Sequence, residues 1–277
     1  MSREIETGTP QLLGRIEDGV AVLTINRPEA RNAMTAEWMV PLRRLIPELG
    51  LDPEVGCLVL TGAGGAFCAG GDVKGMASRG GGVGGEGPSL GVEERIAQLR
   101  RDQAAVSGGI YQLAKPVIAS IPGPAAGAGL SLALACDIRL MAESAFITTA
   151  FRTVGFSGDY GGSWFLTRLI GTAKARELYY LGERIDAKEC ERLGIANRMV
   201  PDAALESETL SLARRIASGP RVAQGYMKEN LNRALEQDLF ACLDMEADRM
   251  IRSGLTEDHR EAVKAFVEKR TPTFRGR

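Results

Sequence analysis

The sequence predicts an α/β fold with β/α units in the first two thirds and helices alone in the last. Three observations carry this. Short runs rich in β-branched and apolar residues alternate with helical patterns as far as Tyr160. From Gly161 onward helical periodicity dominates. No linker separates the two parts, so they read as one packed unit: a β/α core over residues 1–200 and a helical region over residues 201–277.

The elements follow in order. Gln11 to Ile16 and Val20 to Ile25 predict two strands around the turn Glu17-Asp18-Gly19. Thr35 predicts an N-cap for a helix through Leu49, with Glu37 in its first turn. Pro41 and Pro47 predict a kink there. Val55 to Thr61 predicts a buried strand, followed by a glycine-rich loop from Gly62 to Gly75. Gly80 to Gly91 holds seven glycines in twelve residues. Its formal GxGxxG (Gly80, Gly82, Gly85) follows no strand, so it reads as a flexible, lid-like loop, not a dinucleotide fingerprint.

Val92 to Leu113 predicts a helix with Ile96, Leu99, Gln103 and Val106 on one side. Pro116 to Ile121 is strand-like, Gly127 to Ala135 suits a buried helix of small residues, and Cys136 to Met141 is again strand-like. Asp202 opens a helix with Leu205, Leu212, Ala213 and Ile216 on one face. Gly219-Pro220 ends it and starts another with Ala223, Met227, Leu231 and Ala234 on its face. Further helices run through Arg249 and from Thr256 to Lys269.

Composition narrows the function. With 277 residues, 44% hydrophobic and 25% charged, the chain can bury a core without disulfides or metal. Lys+Arg 34 against Asp+Glu 35 leaves a formal charge of −1, which gives nucleic acid no basic face. Apolar runs such as Leu130 to Ala135 fall far short of the ~18 residues of a membrane span. Met1 to Pro10 has no apolar core, so no secretory signal is expected. Five scattered cysteines without a CxxC pair predict reduced thiols and a cytoplasmic location. His259, the single histidine, lies in a charged stretch that reads as a surface helix. Zinc sites of the HExxH type are thereby excluded, and there is neither a G-x-S-x-G elbow nor a GxxxxGK[ST] phosphate loop.

Three stretches together resemble the crotonase superfamily, the enoyl-CoA hydratase/isomerase family. They are Asn26-Arg27-Pro28-Glu29-Ala30-Arg31-Asn32-Ala33-Met34, then Ala66-Phe67-Cys68-Ala69-Gly70-Gly71-Asp72-Val73-Lys74, then Lys115-Pro116-Val117-Ile118-Ala119 continuing through Gly123, Gly127, Ala128 and Gly129 to Cys136-Asp137. Ala265-Phe266-Val267-Glu268-Lys269-Arg270 fits as well. The resemblance spans nearly the whole chain. It implies a spiral of ββα units followed by a C-terminal helical trimerisation region that packs on the core and on neighbouring subunits. It also implies a homotrimer or dimer of trimers acting on acyl-CoA thioesters. Coenzyme A would arrive as part of the substrate, with no permanently bound cofactor and no metal.

A thioester enolate concentrates charge on one oxygen, and two backbone N–H groups aimed at it stabilise that charge. Backbone approaches so closely only where side chains are small, as in Ala69-Gly70-Gly71 and Gly127-Ala128-Gly129. The resemblance assigns the donors to Gly71 and Ala128. It places the CoA nucleotide beside Arg27, Ala30, Ala69, Asp72 and Val73. Phe266 and Lys269 would join from the C-terminal helix, of the same or a neighbouring subunit.

The chain departs from the hydratase pattern in one respect. Hydratases of the family use two glutamates to activate water, and those positions hold Ser131 and Phe151 here. One carboxylate remains. Asp159, in Gly158-Asp159-Tyr160-Gly161-Gly162-Ser163-Trp164, matches the aspartate of relatives that isomerise enoyl-CoA double bonds, including the ring-opening isomerase of phenylacetate breakdown. One acid suffices for isomerisation, and Phe151, Phe156 and Trp164 are apolar neighbours expected to raise its pKa. The alternative is that Asp159 merely caps the following helix. A dehalogenase of the family uses an aspartate at this position with a histidine base, which this chain lacks. Tyr160, Ser157, Glu93 and Glu94 are further polar candidates. Isomerisation leads, with hydration and a non-catalytic CoA-binding role as the rivals.

Overall fold

The computed structural model describes residues 2–73, 75 and 91–277. Lys74 and the glycine-rich loop expected from Gly80 to Gly91, apart from Gly91 itself, lie outside the described residues. The chain opens on an antiparallel meander of β1 (Ser2–Glu4), β2 (Leu12–Glu17) and β3 (Val20–Ile25). Parallel strands β4 (Cys57–Gly62), β5 (Val117–Ile121), β7 (Ile138–Ala142) and β10 (Arg198–Val200) continue the sheet from β3 in that order. Their sequences explain their places. β2 alternates buried and open positions, as a strand with one wet face does. β3, β4 and β5 read as nearly unbroken apolar runs because both faces are covered. A second sheet joins β6 (Ala125–Ala126), β8 (Phe146–Thr148) and β9 (Ile185–Asp186).

Helix α1 (Ala36–Leu51) runs unbroken through Pro41 and Pro47. Its buried face of Trp38, Leu42, Leu45, Ile46 and Leu49 offsets the two lost backbone bonds. Thr35 stands at the N-cap position but does not cap. Its hydroxyl donates to Gln11 Oε1 at 2.7 Å instead. The expected helix from Val92 is α2 (Val92–Gln103), a π-turn over Ala104–Gly108, and α3 (Gly109–Gln112). Helix α4 (Ala128–Ala135) is buried along its whole length. α5 (Gly162–Leu181) carries a break at Gly171, and α6 (Ala187–Arg192) is capped by Asp186. A 3-10 turn at Asp202–Ala204 precedes α7 (Leu205–Ala217), which lies across β3, β4, β5 and β7.

The last helices are α8 (Arg221–Arg233), α9 (Leu239–Gly254) and α10 (Glu257–Val267). On the expected face of α8, Met227 is exposed and Leu231 is 70% exposed. What α8 buries is Lys228. Its ammonium donates to Asp137 Oδ2 at 2.8 Å, to Ile110 O at 3.0 Å and to Lys115 O at 3.3 Å. Asp137 also accepts from Val117 N at 2.7 Å, so one charge pair joins α8 to the ends of α3 and β5. Burial holds the Asp137 carboxyl above its ordinary range, against the opposing pull of Lys228.

Replacing Lys228 by Met would leave Asp137 buried without its cation. The expected cost is about 3–5 kcal/mol, seen as a lower urea midpoint with an unchanged slope. An unchanged midpoint would show that the pair contributes nothing net.

Candidate active site

Two glycine-rich stretches meet at the ends of β4 and β5. Asn32, fully buried with φ +59°, accepts from Arg27 N at 2.8 Å and donates to Ala63 O and Ala66 O at 2.9 and 2.7 Å. This latch fixes the chain leaving β4. Met34 N then donates to Gly70 O at 2.7 Å, and Ala69 N to Arg31 O at 2.9 Å. From the other side Phe67 N and Cys68 N donate to Pro124 O, and Ala126 N donates to Cys68 O at 2.9 Å. The stretch 68–71 therefore lies alongside 125–128.

The approach depends on two missing side chains. A Cβ on Gly70 (φ +83°) would stand 2.7 Å from Ala126 O and 3.3 Å from Ala128 N. A Cβ on Gly129 would stand 2.3 Å from Cys68 O. Ala128 is the first residue of α4, so its N–H has no partner within the helix. Among the described residues, neither the Gly71 N–H nor the Ala128 N–H donates a hydrogen bond. The α4 N-terminus adds its positive end to the pair. Both uncommitted amides thus lie in the stretches that the small residues bring together.

Arg27, Ala30, Ala69, Asp72 and Val73 gather beside the Gly71 amide. Arg27 Nη1 lies 3.0 Å from Asp72 Oδ2, and Ala30 N donates to Arg27 O at 3.1 Å. Gly75 N donates to Asp72 Oδ1 at 2.9 Å. Val73 is exposed, and its N–H donates to Gly71 O at 2.9 Å. Phe266 and Lys269 do not join this group within one chain. α10 packs on α9, and Phe266 is 86% exposed.

Asp159 sits on the loop before α5. It caps nothing: the N-cap position is Gly161, without a side-chain bond. Its Oδ1 is buried without a hydrogen-bond partner. Such a buried orphan acceptor is rare in a folded chain and marks a functional candidate. Burial pushes the carboxyl up to about 6. The titratable groups facing it are Cys68, Tyr160 and Tyr179, whose pKa values are themselves raised, chiefly by burial. The rings seated against the loop are Phe151 and Tyr179, stacked at 5.9 Å, with a Cβ on Gly158 falling 3.1 Å from Tyr179 Cε1. Of the three expected apolar neighbours, Phe151 is in place and the other two are not. Phe156 is exposed, and Trp164 packs against Tyr111, Phe165 and Arg168.

Phe151 also comes within 3.7 Å of where a Gly127 Cβ would be, which links the Asp159 loop to the second amide stretch. Ser131 is buried, and its hydroxyl donates back to Gly127 O at 3.3 Å. A Cβ on Gly162 would meet Ser131 Oγ at 2.3 Å and Tyr179 Oη at 2.8 Å, so the α5 N-terminus closes the space over Ser131. Glu93 and Glu94 are exposed, and Glu94 accepts from Gly91 N at 2.9 Å as a cap. Ser157 and His259 are exposed as well. Asn32 and Tyr179 were not singled out from sequence. The second Asn of the first motif was the available signal for the former.

Comparison with known proteins follows this geometry. The family described as Enoyl-CoA hydratase/isomerase matches residues 15–277. The chain is 36% identical over 266 residues to the 1,2-epoxyphenylacetyl-CoA isomerase of Escherichia coli (strain K12), covering 96% of this chain and 98% of that one. It is 33% identical over 259 residues to the short-chain-enoyl-CoA hydratase of Clostridium acetobutylicum, covering 92% and 93%. A crystal structure of an enoyl-CoA hydratase from Polaromonas sp. JS666 superposes with a TM-score of 0.86 at 34% identity, covering 95% and 99%.

The raised Asp159 carboxyl has a consequence for stability. Below about pH 4 the carboxyl is protonated in both the folded and the unfolded chain and makes no difference. As pH rises toward about 6 the unfolded chain releases the proton first, so folded stability falls. Asp159→Asn should therefore melt above the native chain at pH 7–8 by about 1–3 kcal/mol, with no gain near pH 4. Melting curves across that range test it, and a gain independent of pH would refute the assignment.

Proposed function

The chain belongs to the enoyl-CoA hydratase/isomerase family and has the crotonase fold, and from that premise we propose that it moves the double bond of an enoyl-CoA thioester. The observation that carries the reading is Asp159 Oδ1, buried without a hydrogen-bond partner among the described residues, on a loop that Phe151 links to the second of two uncommitted backbone amides. The thioester oxygen lies between the N–H groups of Gly71 and Ala128. Asp159 removes a proton from the carbon between the thioester and the double bond. The electron pair passes onto the carbonyl oxygen as an enolate, which the amides stabilise. Asp159 then returns the proton to the far carbon of the former double bond, and the electrons fall back to re-form the thioester carbonyl and a conjugated alkene. Only one acid is needed.

The CoA nucleotide rests against Arg27, Ala30, Ala69, Asp72 and Val73. The Arg27–Asp72 pair supports this as a shaped wall, since the guanidinium is already matched by a carboxylate. Residues 1–200 supply the catalytic core, and residues 201–277 pack on it and on neighbouring subunits of a homotrimer or dimer of trimers. The support is the apolar surface that α8, α9 and α10 leave open, including Leu231, Phe240, Met250 and Phe266. In that assembly Phe266 and Lys269 reach the CoA of a neighbouring subunit. A cytoplasmic location fits five unpaired cysteines. Native mass spectrometry is expected to give three or six copies; a monomer at micromolar concentration would refute this arrangement.

Hydration of a 2-enoyl-CoA is the second reading, favoured by the curated hydratase among the relatives. It needs a further proton carrier near Asp159, and the Tyr179 hydroxyl over Gly158 and Gly162 stands in that position.

The deciding experiment incubates 2- and 3-enoyl-CoA thioesters with the protein in heavy water and reads products by chromatography and mass. A shifted double bond with deuterium and no added water is expected. Gain of one water establishes hydration, and CoA binding without turnover on a broad acyl panel establishes the non-catalytic role. Asp159→Asn should lose at least about a hundredfold in kcat while retaining CoA affinity. Because Asp159 must be ionised to act, kcat/KM should fall about tenfold per pH unit below about 6. A flat acidic limb would refute Asp159 as the base.

A further inference from the structure

Gln103 is a polar residue on an otherwise apolar helical stripe of Ile96, Leu99 and Val106. It is the last residue of α2, where the helix passes into the π-turn Ala104–Gly108. Such turns insert an extra residue into a helix and are frequent at functional sites. The Gln103 backbone carbonyl accepts from Ser107 Oγ at 3.2 Å within this turn. Its side chain reaches across the fold. Oε1 accepts from Tyr160 N at 2.7 Å, a contact between residues 57 apart in sequence. Because the partner is an N–H, the amide atom facing it must be the oxygen.

That bond acts on the peptide group joining Asp159 to Tyr160. The N–H of the group is held by Gln103, and its carbonyl, Asp159 O, accepts from Gly162 N at 3.1 Å. The plane is thus pinned from both sides, which fixes the direction in which the Asp159 side chain leaves the backbone. The tether works against strain. Gly158, Tyr160 and Gly161 have φ of +115°, +49° and +78°, and Tyr160 is no glycine. A non-glycine residue stays in that region only where its surroundings hold it. The Tyr160 side chain is buried, with Asp102, Asp159, Arg43 and Cys68 as its titratable neighbours. Arg43 and Asp102 pair at 2.6 Å and Gln98 donates to Asp102, so the helix that carries Gln103 is itself braced there.

We infer that Gln103 is a positioning residue for Asp159, aiming its carboxylate at the substrate carbon through the Asp159–Tyr160 peptide group. The inference rests on Asp159 being the base. An acid displaced by about 1 Å loses on the order of a hundredfold in rate, while the CoA-binding wall is untouched.

The test compares native protein, Gln103→Met, Gln103→Glu and Asp159→Asn on trans-3-hexenoyl-CoA. Gln103→Met keeps the size and removes the acceptor. It should lower kcat about ten- to hundredfold with KM within about threefold and melting within a few degrees. Gln103→Glu keeps an acceptor oxygen and should recover most of the turnover. Its added negative charge disfavours a second carboxylate, so the acidic limb of kcat/KM should move above about 6. Native kcat in Gln103→Met with an inactive Asp159→Asn overturns the positioning role alone. Loss of kcat, KM and melting temperature together in Gln103→Met, without recovery in Gln103→Glu, also overturns it. Full turnover in Asp159→Asn removes the base itself and the inference with it.

Discussion

The close approach of two backbone stretches is the constraint on which the rest of the structure turns. Gly70 and Gly129 give up their side chains so that residues 68–71 and 125–128 can lie in contact. Parallel β4 and β5 deliver the two stretches to the same end of the sheet, as open parallel sheets do for their functional loops. The Asn32 latch then holds the first stretch and Pro124 O the link between them. Two amides remain without partners among the described residues, a donor pair for which those residues supply no acceptor.

The opposite wall is built on a different principle. The amide pair is held by the bonds of Met34 N to Gly70 O, Ala69 N to Arg31 O and Ala126 N to Cys68 O. The Asp159 loop, by contrast, passes through left-handed backbone at Gly158, Tyr160 and Gly161 and keeps its shape through a few long-range ties. Phe151 and Tyr179 cover it and keep water from relieving the carboxyl, which is what raises its proton affinity. Stability is conceded locally, as is common where a site needs a group in an unfavourable environment.

Much of this was legible in the sequence, and the gaps have physical causes. The runs of β3, β4 and β5 show as strands because burial on both faces makes them uniformly apolar. Strands β6, β8 and β9 have only two or three residues each, so their pairing is decided by partners elsewhere in the chain. The apolar stripe of α8 was readable, but not the side it faces: Met227 and Leu231 point out and Lys228 points in. Gly71, Ala128 and Asp159 could be named from small residues and resemblance. Of the rings beside Asp159, Phe151 could be named but Tyr179 could not, because it reaches the loop from the far end of α5, while nearby Trp164 turns to Tyr111. Gln103 was visible as an oddity on an apolar stripe, but its partner lies 57 residues away.

The way α8 is fastened has a consequence for the life of the chain. A helix usually docks with its oily side inward, but the buried side chain of this one is an ammonium in a cage of oxygens, helped by Asn232, whose side-chain amide donates to Tyr111 O at 2.9 Å. Met227 and Leu231 of α8 stay exposed beside the open apolar residues of α9 and α10. A freshly folded copy is therefore adhesive in water before it meets anything. In the assembly proposed above, maturation is a race between finding matching copies and indiscriminate clumping, and the outcome depends on how crowded the solution is with its own kind.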